Sequence, residues 1–166
     1  MSQQTNLMPA KGIRDKGVFS YPIRVYYEDT DVGGMVYHGK YVSFFERVRS
    51  ESIRDTEADV THLFELPESE GGPLTYVVRN INITYHRQAT VGQALIGKCV
   101  ITRVRAAAVE VKQWIENEAG DLVAEANVLA AVISPDGKPK RWSKGAKAFW
   151  QDYMDEYKAA NAAEEE

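Results

Sequence analysis

Residues 25–51 read VYYEDTDVGGMVYHGKYVSFFERVRSE, and this stretch decides the fold of the chain. It opens as the end of a strand, breaks at DTDVGG (residues 29–34), and resumes as a helix. The break predicts a turn, because Gly tolerates positive φ and Asp hydrogen-bonds neighbouring amides. Bulky apolar residues then recur every three or four positions and end in a small residue, which predicts a helix with one buried face: Tyr41, Phe44, Phe45, Val48 and Ser52.

A carboxylate-bearing loop is thus held at the start of a largely buried helix. A helix start offers unpaired backbone N–H groups and a partial positive charge. A carboxylate beside an amide donor for an oxyanion is suited to acyl chemistry. Pattern alone gives Asp31 a second interpretation, because most loop Asp residues only stabilise turns or cap helices.

Composition excludes several classes of function. At 166 residues, with 44% hydrophobic and 27% charged residues, the chain predicts one globular domain. A net charge of −4 without a basic face argues against nucleic acid as a partner. No apolar run approaches the roughly 18 residues that span a bilayer, so we expect no stable membrane insertion. The N-terminus has no apolar signal region, and the single Cys99 lies in an alternating apolar strand, so we expect a cytoplasmic protein with a buried thiol.

The chain before and after the helix divides as follows. We expect a flexible arm over residues 1–18, a first strand over Phe19–Glu28, and a helix that ends near Asp55–Ala58. Pro and Gly then mark residues 59–73 as a loop with one helical turn at His62–Leu66. Such a loop can cover a substrate entrance, but a solvated connector is the simpler interpretation.

Alternation of apolar and polar residues predicts four more strands: Leu74–Arg87, Ala94–Arg105, Ala107–Glu118 and Leu122–Ile133. In the first of these, Val77 is expected to share a face with Ile81. An amphipathic helix capped by Ser143 is expected to run to Lys158, followed by a flexible acidic tail over residues 159–166. The prediction is therefore one α+β domain over residues 19–158, with a five-stranded antiparallel sheet holding a mostly apolar helix.

The opening stretch also matches a known family. The matching positions are Tyr27-x-Asp29-Thr30-Asp31-x-x-Gly34-x-Val36-Tyr37-His38-x-x-Tyr41, followed by Phe44-Phe45-Glu46-Arg47-x-Arg49-x-Glu51. This pattern resembles the acyl-CoA thioesterases of the 4-hydroxybenzoyl-CoA thioesterase family, and within it the Tol–Pal-associated bacterial branch. The resemblance covers roughly residues 22–133. It implies a hotdog fold and acyl-CoA hydrolysis without metal or cofactor. It also implies sites shared between subunits of a homodimer or homotetramer.

The resemblance assigns the catalytic residues. Asp31 aligns with the catalytic carboxylate of the family, which either attacks the thioester carbonyl or draws a proton from water. His38 is expected to donate its backbone N–H to the thioester oxygen or to orient Asp31 through its imidazole. Tyr27 is expected to support the site by a hydrogen bond from the first strand, although a plain strand aromatic is nearly as good an interpretation. Asp29 is expected to be structural.

Substrate-binding residues follow less directly. Gly34 is expected to let the loop backbone approach the acyl group. Tyr41 matches the pattern too, although a tyrosine at this position more often belongs to the core. Arg103 and Arg105 end a strand and are candidates for the CoA phosphates, with a solvated strand end as the alternative.

Two other functions remain open from the sequence. One is a non-hydrolytic binding or scaffold protein that engages acyl thioesters or acyl carrier protein in envelope or phospholipid synthesis. The other is a hotdog dehydratase, which the residues of this helix do not favour. The length or aromatic character of the acyl group is not fixed by any residue.

Overall fold

The computed structural model describes residues 10–54 and 75–164. The elements in chain order are β1 (Ile13–Asp15), β2 (Val18–Arg24), a 3-10 turn (Tyr27–Asp29), α1 (Lys40–Arg54), β3 (Thr75–Tyr85), β4 (Ala94–Val104), β5 (Ala108–Asn117), β6 (Leu122–Ile133) and α2 (Lys144–Glu164). The strands form one antiparallel sheet in the order β1-β2-β4-β5-β6-β3. The α+β prediction is confirmed.

Within the described residues the sheet has six strands, one more than predicted, because part of the expected arm pairs with β2. Ile13 lies opposite Ser20 in this hairpin. Lys16 and Gly17 make the turn with φ of 49° and 72°. Two adjacent positive φ values match the right-handed twist of a two-residue hairpin, and glycine adopts one of them without strain.

The first predicted strand is too long at its C-terminal end. β2 ends at Arg24, and residues Tyr27–Asp29 form the 3-10 turn that leads into the DTDVGG loop. Helix α1 is described as far as Arg54. The predicted helix end near Asp55–Ala58, the loop over residues 59–73 and the helical turn at His62–Leu66 lie outside the described residues.

Helix α1 packs on the sheet through its predicted apolar face. Phe44, Phe45 and Val48 are fully buried in the same core as β2 and β4. Gly97 of β4 allows the helix to approach the sheet closely, since a Cβ there would lie 2.4 Å from a methyl of Val48. The site loop precedes this helix directly, so the packing of α1 fixes where the loop sits.

A β-bulge changes one predicted face of β3. The register shifts between Val78 and Asn80, so Val77 lies opposite Ala131 while Ile81 lies opposite Val128. Partners of opposite parity on one strand point to opposite faces, and Val77 is therefore not on the face of Ile81. The predicted pairing of these two residues is wrong because an extra residue enters the strand.

Helix α2 lies on the same core and is longer than predicted. The Oγ of Ser143 accepts a hydrogen bond from Ala146 N–H at 3.2 Å, which confirms the predicted cap. The helix continues past Lys158 to Glu164 because the alanine-rich sequence there favours helix. Trp142 and Trp150 are buried, whereas Trp114 is half-buried. Neither described helix combines the length and the apolar character needed to cross a bilayer.

Candidate active site

Residues 30–36 form a closed loop between the 3-10 turn and α1. Thr30 and Val36 make an antiparallel bridge at its base. Above the base, Asp31 N–H donates to Met35 C=O at 2.8 Å, and Gly34 N–H donates to Asp31 C=O at 3.0 Å. The loop is therefore held by its own backbone.

Backbone hydrogen bonds also dock the loop against the chain before β4. Met35 bridges Thr90, and Val36 N–H donates to Ala89 C=O at 2.8 Å. Tyr37 N–H donates to Asp29 C=O at 2.9 Å, which brings the returning chain back to the 3-10 turn. The loop is thus positioned by the turn on one side and by the entry to β4 on the other.

Asp31 presents its carboxylate to solvent. Its Oδ1 accepts a hydrogen bond from Gly33 N–H at 2.8 Å, so the residue does stabilise the turn. Within the described residues, Oδ2 has no hydrogen-bond or ion-pair partner. One carboxylate oxygen therefore fixes the side chain, and the other is free for chemistry.

Asp29 is held very differently. Its side chain is 0% exposed, and Oδ2 accepts a hydrogen bond from Tyr26 N–H at 2.8 Å. Oδ1 lies 3.3 Å from Lys40 Nζ in an ion pair without the alignment of a hydrogen bond. Lys40 begins α1, so Asp29 ties the 3-10 turn to the helix start. These contacts agree with a structural role.

His38 lies in the short connection from the loop to α1. Among the described residues, its backbone N–H meets no acceptor, which leaves the donor available. Its imidazole is exposed and packs against the Tyr37 ring, with 4.4 Å between ring centroids. Within the described residues, the His38 imidazole makes no hydrogen bond to Asp31. The backbone N–H is thus the group of His38 that the geometry favours.

Tyr27 does not reach the other site residues within one subunit. It lies in the 3-10 turn and not in the first strand, and it is 85% exposed. Its carbonyl accepts a hydrogen bond from Thr30 Oγ1 at 2.9 Å, but its phenol has no polar contact with the described residues. The 3-10 turn redirects the side chain away from the predicted position.

For Gly34 and Tyr41, the structure shows why each residue type is needed at its position. Gly34 has φ of 74°, which side-chain-bearing residues rarely adopt, and a Cβ there would meet no atom within 4 Å. Tyr41 is 3% exposed, with its ring edge-on to Phe44 and Tyr85 at 5.9 and 5.4 Å. Burial raises the pKa of the Tyr41 phenol. Tyr41 is a core residue that approaches the site through Tyr85.

Arg103 and Arg105 lie far from Asp31. The start of β4 pairs with Arg24 beside the loop, whereas Arg103 stands at the other end of that strand. At about 3.4 Å per residue, the stretch from Ala94 to Arg103 spans roughly 30 Å. Arg105 also pairs with the Glu110 carboxylate. The structure therefore does not bring these arginines to the site of their own subunit.

Tyr85 was not predicted as a site residue. Its hydroxyl donates a hydrogen bond to His38 C=O at 2.9 Å, across 47 positions of sequence. It also borders an open cleft of about 670 Å³ lined by Tyr85, His86, Arg87, Gln88, Asn117 and Asp121. The alternation in the strand predicts only which face of the sheet carries Tyr85. A contact with a residue 47 positions away produces no pattern in the local sequence.

Large apolar side chains are exposed around the loop. Tyr26, Tyr27, Val32 and Tyr37 are 58%, 85%, 109% and 48% exposed. Isolated exposed apolar residues are ordinary, but a concentration of them marks an interaction site. For metal ligands, the described ranges 10–54 and 75–164 contain no group of three His, Cys, Asp or Glu residues.

Comparison with known proteins adds independent findings. The family model described as "Thioesterase superfamily" matches residues 33–124. The chain is 36% identical over 118 residues to the acyl-CoA thioester hydrolase YbgC of Escherichia coli, covering 71% of this chain and 84% of the relative. It is 34% identical over 130 residues to the acyl-CoA thioesterase YbgC of Haemophilus influenzae, covering 78% and 92%. A crystal structure of a probable thioesterase from Bartonella henselae superposes with a TM-score of 0.69 at 38% identity, covering 75% of this chain and 98% of that one.

Proposed function

This chain belongs to the thioesterase superfamily, and from that premise we propose that it is an acyl-CoA thioesterase. The overall reaction is RCO–SCoA + H₂O → RCOOH + CoA–SH. The resemblance seen in the sequence is thereby confirmed at the level of the family and its hotdog fold. The residues that carry the reaction in this chain are part of the proposal.

The observation that carries the proposed mechanism is the presence of two free groups seven residues apart, one on the closed loop and one on the connection to α1. Asp31 keeps one carboxylate oxygen without a partner, and His38 keeps a backbone N–H without an acceptor, within the residues described. A thioester carbonyl requires both kinds of group, because the carbon is attacked while its oxygen gains negative charge. The closed loop holds Asp31, and the connection from this loop to α1 holds His38.

Two routes fit this arrangement. In one, Asp31 attacks the carbonyl carbon, the C–S bond breaks, CoA leaves as a thiolate that takes up a proton, and water cleaves the mixed anhydride. In the other, Asp31 accepts a proton from water as that water attacks the same carbon, the C–S bond then breaks, and the CoA thiolate takes up the proton from Asp31. Both routes place the developing oxyanion at the N–H of His38.

The class of substrate is tested by a panel of thioesters. Purified protein is assayed for release of free thiol from short-chain, long-chain and aromatic acyl-CoAs and from acyl-acyl carrier protein. We expect hydrolysis of at least one acyl-CoA, with the profile defining the acyl group. Binding of these compounds without thiol release from any of them would favour a scaffold and overturn the proposal.

We also propose that the working unit is a homodimer or a larger homo-oligomer. The exposed apolar side chains around the loop, Tyr26, Tyr27, Val32 and Tyr37, lie where a second subunit would complete the site. Strand β3 is at one edge of the sheet, and a long unpaired edge is usually covered in the native assembly. In such an assembly, the phenol of Tyr27 can serve the site of the neighbouring subunit.

The assembly is checked by sedimentation velocity at micromolar concentration. We expect a species of about 37 kDa or a multiple of it, since one chain has a mass of 18.6 kDa. Adding charge within the exposed patch by Val32→Glu should shift this species toward the monomer and lower activity with it. A fully active monomer of 18.6 kDa would contradict the proposed assembly.

The proposed location is the cytoplasm. Cys99 is a buried free thiol, and free thiols are typical of a reducing compartment. Acyl-CoA as the substrate agrees with this compartment.

A further inference from the structure

The end of β3 reaches across the fold to the connection between the site loop and α1. Tyr85, the last residue of that strand, donates its hydroxyl hydrogen bond to His38 C=O at 2.9 Å. His38 is the residue whose backbone N–H is free. A side chain from a distant element thus contacts the backbone of the proposed oxyanion donor.

The Tyr85 ring rests on a rigid support. It packs edge-on against Tyr41, with ring centroids 5.4 Å apart, and Tyr41 packs in turn on the fully buried Phe44. Beyond Tyr85, the N–H groups of His86 and Arg87 both donate to Val123 C=O, at 2.8 and 3.1 Å. These contacts fix the strand end, so the hydroxyl approaches His38 from a defined direction.

The backbone around His38 needs such a contact. Tyr37 is held through Asp29, and Lys40 N–H donates to Tyr37 C=O at 2.8 Å. Between them, the bond from Tyr85 is the one hydrogen bond that His38 makes with the described residues. Gly39 follows, and a glycine restricts its own backbone less than other residues do, so the hydrogen bond from Tyr85 adds an anchor at this point.

We propose that Tyr85 is a positioning residue for thioester hydrolysis. The His38 N–H belongs to the Tyr37–His38 peptide group, which Lys40 N–H holds through Tyr37 C=O, and Tyr85 holds the next peptide group through His38 C=O. By fixing that second group, Tyr85 completes the support that keeps the His38 N–H aimed at the position of the thioester oxygen. This inference rests on the proposed function and assigns it a residue outside the DTDVGG loop. An oxyanion donor acts by preorganisation, so its support affects turnover more than substrate binding.

The test is Tyr85→Phe, which keeps the ring on Tyr41 and removes only the hydroxyl. We expect kcat to fall about tenfold, less than the roughly hundredfold loss of a whole oxyanion donor, while KM and Tm stay nearly unchanged. The matched control is Tyr21→Phe. Tyr21 is half-buried on β2, and its hydroxyl has no hydrogen bond to the described residues, so this variant should keep the parent kcat.

A second readout does not depend on turnover. In ¹⁵N-labelled protein, we expect the order parameter of the His38 amide to fall from about 0.85 toward about 0.6 in Tyr85→Phe, and to stay near the parent value in Tyr21→Phe. An unchanged kcat with an unchanged His38 order parameter would overturn the positioning role. A lower Tm together with a lower kcat, without a change in the His38 order parameter, would show that Tyr85 acts only as a packing residue and would also overturn the positioning role. If the parent hydrolyses no thioester, the proposed function fails, and the order parameter still shows whether Tyr85 holds His38.

Discussion

Asp31→Asn is expected to lower kcat/KM for the best acyl-CoA by at least about a hundredfold. Asn keeps a carbonyl oxygen that can accept the 2.8 Å hydrogen bond from Gly33 N–H, so the loop should keep its shape. The substitution removes the negative charge and with it both the nucleophile and the base. General-base assistance alone contributes roughly a hundredfold to ten-thousandfold. Steady-state kinetics and a thermal melt of the same preparation measure the two effects separately.

Asp29→Asn is the matched control, because it makes the same chemical change two residues earlier. Asp29 is buried and paired with Lys40, so its loss should lower the free energy of unfolding by about 1–3 kcal/mol. Activity below the melting transition should fall no further than this loss of stability explains. A dead Asp29→Asn beside a fully active Asp31→Asn would mean that the other carboxylate is catalytic.

The second large effect is expected at Gly97→Ala, in the contact between α1 and the sheet. The new Cβ would lie 2.4 Å from Val48 Cγ2 and 3.0 Å from Ile23 Cδ1, and both side chains are buried. Val has a stiff χ1, so the helix must shift. Overpacking of this kind costs about 1–3 kcal/mol of unfolding free energy. Because α1 carries the site loop at its start, kcat/KM should fall as well.

Gly145→Ala provides the control for that substitution. Gly145 lies in α2, and a Cβ there would meet nothing within 4 Å. Replacing a helical Gly with Ala usually stabilises by about 0.5–1 kcal/mol. In chemical denaturation, Gly97→Ala should therefore have a lower free energy of unfolding than the parent, and Gly145→Ala a higher one. Equal stability of Gly97→Ala and the parent would show that α1 does not pack closely at this point.

The parts of the fold that the sequence predicts are those where a local pattern decides the structure. On β5, Val109, Val111 and Ile115 alternate with charged residues, and all three are buried. The helical spacing from Tyr41 to Val48 likewise marks the buried face of α1. In both elements the side-chain period follows directly from the geometry of the backbone.

The errors arise where the structure depends on contacts that no local pattern records. Lys16 carries no turn signal, since a non-glycine residue rarely adopts positive φ, so the sequence predicts a flexible arm where the β1–β2 hairpin forms. The bulge in β3 moves Val77 to the face opposite Ile81. The sequence does not reveal this bulge, because a single inserted residue leaves the composition of the strand unchanged. The first predicted strand extends through the 3-10 turn at Tyr27, because the residues there have the composition of a strand.

The site divides in the same way. The motif includes both Asp31 and His38, which are only seven residues apart, on the closed loop and on the connection that follows it. It does not predict Tyr85, whose contact with His38 arises where the end of β3 meets the connection that precedes α1. Arg103 and Arg105 are predicted from their position at a strand end, and the structure places that end of β4 away from the loop of the same subunit.

The most direct test of the central claim is the product balance of the parent protein beside Asp31→Asn. Each protein is incubated with the best acyl-CoA, and free thiol, free acid and remaining thioester are quantified over time. We predict that the parent releases thiol and acid in equal amounts, and that Asp31→Asn, folded and at the same concentration, releases both at least about a hundredfold more slowly. Recovery of intact acyl-CoA from the parent, or equal rates in the two proteins, would contradict carboxylate-driven hydrolysis at Asp31.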